Sequence, residues 1–244
     1  MGPSGRCLAA LAALASAASA GAAPDGFFGP AKDLELQPEI DVHVHVAPEA
    51  RLLFQTQGSW IPGEGYTGLA LGAYLDWFLL PFFRRLVSPD AAKTRALDLR
   101  LGVRYTGTID PGTGSPSQDL AVQLDFTPRY FLPWSILASN RNRAQVQWAF
   151  GTGDPVSFLY RGRLQLEREF DVGGAGLTPF ANAELYWQAP PSMWEQFRMQ
   201  AGLQCSFGGI GRGQVLEVNY AAVTYLQPGR SWRSLIGIVW YLYF

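Results

Sequence analysis

One short segment carries residues with the types and spacing for chemistry: Asp41, His43 and His45, at i, i+2 and i+4. That spacing places all three on one face of a strand. A carboxylate and two imidazoles there could hold a metal, or His43 or His45 could serve as a general base. Neighbours on one strand face stand about 7 Å apart, so shared ligation needs strand bending or a ligand from elsewhere. The plainer reading makes them polar residues of a hydrated wall. No Gly-x-Ser-x-Gly elbow or His-x-Ser motif supplies a nucleophile, and Ser139 has no base nearby in the sequence. No catalytic residue, metal or cofactor is therefore assigned, although an enzyme using one of the two histidines stays an alternative.

A second constellation is larger. Arg100, Arg104, Arg141, Arg143, Arg161, Arg163 and Arg198 fall on the polar face of alternating segments, as do Asp98, Asp125, Glu167, Glu169, Glu184 and Glu217. If those faces share one interior, two readings follow. Planar guanidinium forks can bridge carboxylates on neighbouring strands and brace the interior. Alternatively, the arginines form a selectivity surface for an anionic solute.

The elements that must position these residues are strands. Alternation begins at Asp33, with Leu34, Leu36, Ile40, Val42, Val44 and Val46 on one face and Glu35, Glu39, Asp41, His43 and His45 on the other. Pro48 either ends this strand or sits at a bulge in a longer one. Gly58 to Gly65 reads as a loop. Leu69 to Phe83 is apolar on both faces, so its phase is poorly marked. Clear period-2 patterns follow around Leu97–Tyr105, Leu120–Phe126, Asn140–Trp148, Phe158–Glu169, Ala181–Trp187, Phe197–Phe207 and Leu216–Tyr220, separated by Gly, Pro, Asp and Ser turn signals.

The closing stretch, Ser231 to Phe244, sends Ile236, Ile238, Trp240, Leu242 and Phe244 to one side, and Leu235, Gly237, Val239, Tyr241 and Tyr243 to the other. An apolar face flanked by aromatics is what a lipid-facing strand requires. Trp240, Leu242 and Phe244 form the candidate membrane-assembly signal that barrel-assembly machinery would read.

Composition agrees. Aromatics make up 14% of the chain and charged residues 16%, yet mean hydropathy is only +0.02. Alternating strands present an apolar face without raising the average. A net charge of −1 leaves no nucleic-acid footprint. After the N-terminus no apolar run is long enough for a membrane helix. Residues 1–20 read as a signal peptide, with Arg6, an apolar core and Ala18-Ser19-Ala20 as cleavage site. Residues 21–32 form a linker, and 33–244 the folded domain. Removal of the signal peptide would take Cys7 with it and leave Cys205 as a single free thiol.

Strands longer than those of soluble sandwiches, greasy on one face, must close on themselves in lipid, because an open edge leaves backbone groups unsatisfied. The expected fold is all-β: a transmembrane antiparallel β-barrel of 10–12 strands, twelve preferred, with short connections, no plug-sized insertion and both termini on one side. This implies the outer membrane of a Gram-negative bacterium, contact with its lipid, and a structural role or a narrow small-solute pore with an Arg/Glu-lined lumen. The alternatives are an enzyme acting on lipid or envelope substrates and a surface scaffold for protein partners.

The order of several short motifs also resembles a family of uncharacterised bacterial outer-membrane barrels, domain of unknown function twenty-four ninety. These are Asn140-Arg141-Asn142-Arg143, Tyr160-Arg161-Gly162-Arg163-Leu164-Gln165-Leu166-Glu167, Leu177-Thr178-Pro179-Phe180, Glu184-Leu185-Tyr186, Phe197-Arg198 and Ala201-Gly202-Leu203. The likeness runs from about Asp33 to Phe244. It implies a barrel and carries over no catalytic residue.

Overall fold

The computed structural model describes residues 34–62, 65–81, 89–109, 114–150, 156–190, 192–207, 213–226 and 232–244. The expected signal peptide and linker lie outside the described residues. The strands are β1 (Leu34–Ala47), β2 (Ala50–Ile61), β3 (Gly65–Pro81), β4 (Arg95–Ile109), β5 (Pro116–Phe131) and β6 (Ile136–Phe150). They continue as β7 (Val156–Arg168), β8 (Phe170–Val172), β9 (Ala175–Ala189), β10 (Met193–Phe207), β11 (Gly213–Tyr225) and β12 (Trp232–Tyr243).

Each strand bonds to its successor except β7, which bonds with β8's own partner β9, and β12 bonds to β1, so the sheet closes. Every backbone group along the wall then has a neighbour, as hydrocarbon demands. The three-residue β8 keeps the register of β7 on β9: Glu167 faces Phe180 and Phe170 faces Leu177 across a break at Glu169. The wall therefore has eleven positions. Pro48 and Glu49 form the turn between Ala47 and Ala50, so Pro48 ends a strand. Gly58–Ile61, expected in a loop, belongs to β2, where Gly58 pairs with Leu69.

An odd ring of up-and-down strands must contain one parallel pair, and it lies at the seam. Leu34 stands beside Ser234 and His43 beside Tyr243. This corrects the expectation that both termini lie on one side, because the start of β1 and the end of β12 are at opposite ends of the barrel.

Alternation sorts side chains as anticipated. Leu101, Leu124, Leu166 and Ile238 point outward and are 43–53% exposed, whereas Gln123, Asp125 and Glu167 point inward and are at most 7% exposed. A continuous outer surface of this kind is suited to lipid. β3 takes its phase from one charge: Tyr74, Asp76 and Phe78 turn inward, and Leu71, Trp77 and Leu79 turn outward. The Tyr74 ring lies flat over Gly102, its partner on β4, where a Cβ would overlap it.

Leu203 keeps the outward phase of its strand but is buried with Ala175, Cys205 and Val218. Cys205, in the same cluster, is fully buried.

Candidate functional site: the charged lumen

The interior holds a cavity of about 600 Å³, lined by side chains from every strand except β8 and by the Ala91–Thr94 turn. Its charges follow the strand register. Arg51 on β2 faces Asp76 on β3, Asp76 faces Arg100 on β4, Arg100 faces Asp125 on β5, and Asp125 faces Arg143 on β6. Each link alternates sign. Arg51 Nε donates to Asp76 at 2.7 Å and Arg100 Nε to the same carboxylate at 2.6 Å. Arg143 donates to both Asp125 oxygens, at 2.7 and 2.8 Å. Direct cross-strand opposition brings such groups within bonding range, and two parallel N–H···O bonds fix their orientation.

At the next strand the alternation fails. Arg143 faces Arg161 on β7, and one row along the axis Arg141 faces Arg163. Four inward arginines thus form a two-by-two block. Arg198 on β10 adds a fifth across Glu184, and Arg104 on β4 also lines this cavity. Among the described residues, two carboxylates touch these six arginines. Asp125 is taken up by Arg143; Glu184 is shared by Arg141 at 3.0 Å, Arg163 at 3.6 Å and the Tyr186 hydroxyl at 2.7 Å. Arg161 stacks on the Tyr186 ring at 4.7 Å, and Arg104 donates to Gln57.

Across the ring, near the parallel seam, the signs reverse. β1 contributes Glu39 and Asp41 to the lining, with Glu35 buried further along the same strand, and β11 contributes Glu217. Neutral groups hold three of them: Glu35 accepts from Gln37, Glu39 from Gln55, and Glu217 from Gln204, Asn219 and Tyr241. Arg233 reaches Glu35 only at 3.7 Å. Positions β6 and β7 lie half-way round from β12 and β1, so the cavity is basic on one side and acidic on the other.

Residues 89–94, just ahead of β4, enter this interior at the end where β12 finishes. Asp90 caps the Ala91–Thr94 turn by accepting from the Ala92 amide, and also accepts from Arg51 at 2.6 Å. Lys93 reaches the other way, 2.7 Å from Glu167 on β7 and 2.7 Å from Gln204 on β10. One turn therefore contacts β2, β7 and β10 and spans the mouth. Glu169 carries its carboxylate against Gly176 near this turn, contributing to the field around Lys93. Burial alone would raise the Asp90 carboxyl, but the Arg51 guanidinium overrides it and holds it well below the ordinary carboxylate range. Burial alone would lower Lys93, and Glu167 more than offsets this, so its ammonium is raised.

The histidine face does not assemble a site. His43 is buried and stacks on Tyr243, with ring centroids 4.6 Å apart and planes at 6°, and its two nitrogens find no protein partner. His45 sits at the rim, 3.2 Å from the Phe244 carbonyl oxygen, and one Asp41 oxygen is buried without a partner. Among the described residues no group of three His, Cys, Asp or Glu could hold a metal. Trp240 and Phe244 are exposed on the outer face, and Trp240 Nε1 donates to Gln214.

The lumen residues expected from the alternation line the cavity, except Glu184, buried against Arg141 and Tyr186, and Glu169, which stands at the break between β7 and β8 outside the lining. The sequence reading missed Arg51, Asp76, Asp90, Lys93 and Arg129, the last 3.2 Å from Asp98. Signals for two existed: Arg51 opposes the phase of Leu52 and Phe54, and Asp76 is the one charge between Leu69 and Phe83.

Closure, strand length and an apolar exterior define a transmembrane β-barrel. Its fold is similar to a solved structure, the β-domain of the Bordetella autotransporter BrkA, with a TM-score of 0.51 over 80% of this chain and 83% of that one at 15% identity. The sequence matches no family model and no curated protein.

Proposed function

We propose that this protein is a bacterial outer-membrane barrel whose narrow lumen admits small anionic solutes. The observation that carries this is the arginine block on β6 and β7, where the ladder of alternating charge stops and two rows of guanidinium groups face an acidic seam. A bracing network would continue the alternation begun on β2. Charged rings lining a pore decide which ions enter, and the excess on this wall is positive. The apolar exterior and the exported-protein reading of residues 1–20 support the outer-membrane location. The resemblance to uncharacterised outer-membrane barrels points the same way and brings no activity with it.

The turn across the mouth keeps the conductance small. Purified protein in planar bilayers under a potassium chloride gradient should pass small currents carried mainly by chloride. Currents carried mainly by potassium, or large unselective ones, would contradict this reading.

A further inference from the structure

The geometry points to a specific ligand class: we propose that Arg141, Arg161, Arg163 and Arg198 form a binding site for a phosphoryl group, as free phosphate or as the phosphate of a small monoester. This rests on the anionic-solute reading of the lumen and deepens it from a charge preference to a site.

Cross-strand partners on one face stand about 5 Å apart, and like charges so placed repel. The register imposes this twice, at Arg141–Arg163 and Arg143–Arg161. Among the described residues, only Arg143 of these has a carboxylate to itself. Local rules broken in this way, within an otherwise consistent ladder, mark a functional position. The donor inventory gives the ligand. The Nε atoms of Arg141, Arg161 and Arg198 are buried without a hydrogen-bond partner, and Arg163 Nε has Glu184 at 3.6 Å, beyond hydrogen-bond range. All four residues line the same cavity of about 600 Å³. Guanidinium groups have donors and no acceptor, so their complement is an acceptor-only anion. A single halide meets one or two donors. A tetrahedral oxyanion presents several oxygens to converging forks and carries the second charge that an uncompensated block favours. Glu184, shared by Arg141 and Arg163, holds the forks in place and limits the excess charge.

The test uses the full-length barrel in detergent, its folding verified by heat-modifiable mobility. Phosphorus-31 line broadening is followed for inorganic phosphate and, separately, for glycerol phosphate, at constant ionic strength in chloride. Saturable binding of at least one is expected, and which one binds identifies the source. Arg161→Gln with Arg163→Gln should weaken it roughly tenfold to a hundredfold, as expected for loss of charge-assisted bonds. Arg161→Lys with Arg163→Lys keeps the charge and loses the fork, and should weaken binding nearly as much. Arg168→Gln, on the outer face over Phe170, removes a charge and should change nothing. No saturable binding by wild type, or binding that survives both double variants, overturns the site. Chloride-selective current without phosphate binding would defeat the site and leave the pore reading standing. Phosphate binding without current would do the reverse.

Discussion

Arg143 and Arg161 are direct cross-strand partners on the inner face of the barrel, and they end a ladder that alternates in sign from Arg51 through Asp76, Arg100 and Asp125. The relationship separates two kinds of inward charge. Asp76 is fully buried between Arg51 and Arg100, and Asp125 is bonded twice by Arg143. Removing one partner of a buried pair strands the other charge, at about 3–5 kcal/mol. Asp76→Asn and Asp125→Asn should lose stability on that scale in urea unfolding from lipid vesicles. Arg161→Gln, which leaves no carboxylate behind, should stay within about 1 kcal/mol, since a ring stack and a like-charge repulsion are lost together. Equal costs at all three positions would mean that the ladder does not break at Arg161.

The parallel seam makes a topological prediction. Val42 and Leu242 are register partners with outward phase. Val42→Cys with Leu242→Cys should cross-link readily under oxidation, because paired Cα atoms fall within disulfide range. Tags placed before β1 and after Phe244 should be accessible from opposite sides of the membrane. Accessibility from one side would show an even number of wall positions.

The outer face is tested at Leu166. Its replacement by Arg should cost about 2–4 kcal/mol near the midplane. Spin labels at Leu124 and Leu166 should be relaxed by oxygen, and labels at Asp125 and Glu167 by a water-soluble agent. Similar behaviour of both sets would contradict the assigned faces.

Alternation was legible wherever one face carried charge. Arg100 and Arg104, or Arg161 and Arg163, announce their own phase, and each turned inward. It failed on β3, because apolar residues on both faces left Asp76 as the one clue. There the large inward groups are aromatic, with Tyr74 laid over Gly102. Strand parity was not legible at all. It depends on whether β12 meets β1 in parallel, a contact between residues nearly 200 positions apart, such as His45 and Phe244. The destination of the Ala91–Thr94 turn was hidden for the same reason: Asp90 and Lys93 form an ordinary polar turn locally, and their partners lie on β2, β7 and β10.

That turn should respond to pH in a defined direction. Asp90 is depressed, so its contribution is present above the unfolded carboxylate value and fades as pH falls through its folded value. Lys93 is raised, so its contribution is complete below the unfolded lysine value and fades as pH rises through its folded value. Between roughly pH 4 and pH 10 both hold. Currents should be flat and small across that window and increase above it. Lys93→Ala should give the larger current already at neutral pH. An unchanged current in that variant would show that the turn does not obstruct the lumen.

The reversal potential of the double variant Arg161→Ala with Arg163→Ala, measured in planar bilayers under a potassium chloride gradient, bears most directly on the claim that the β6–β7 arginines set the character of the lumen. Wild type should reverse on the chloride side of zero. The variant, with Glu167 and Glu184 less compensated, should move toward the potassium side, because the charge at the constriction decides which ion enters. A reversal potential identical in both proteins, with a large conductance, would place the constriction elsewhere and contradict the account.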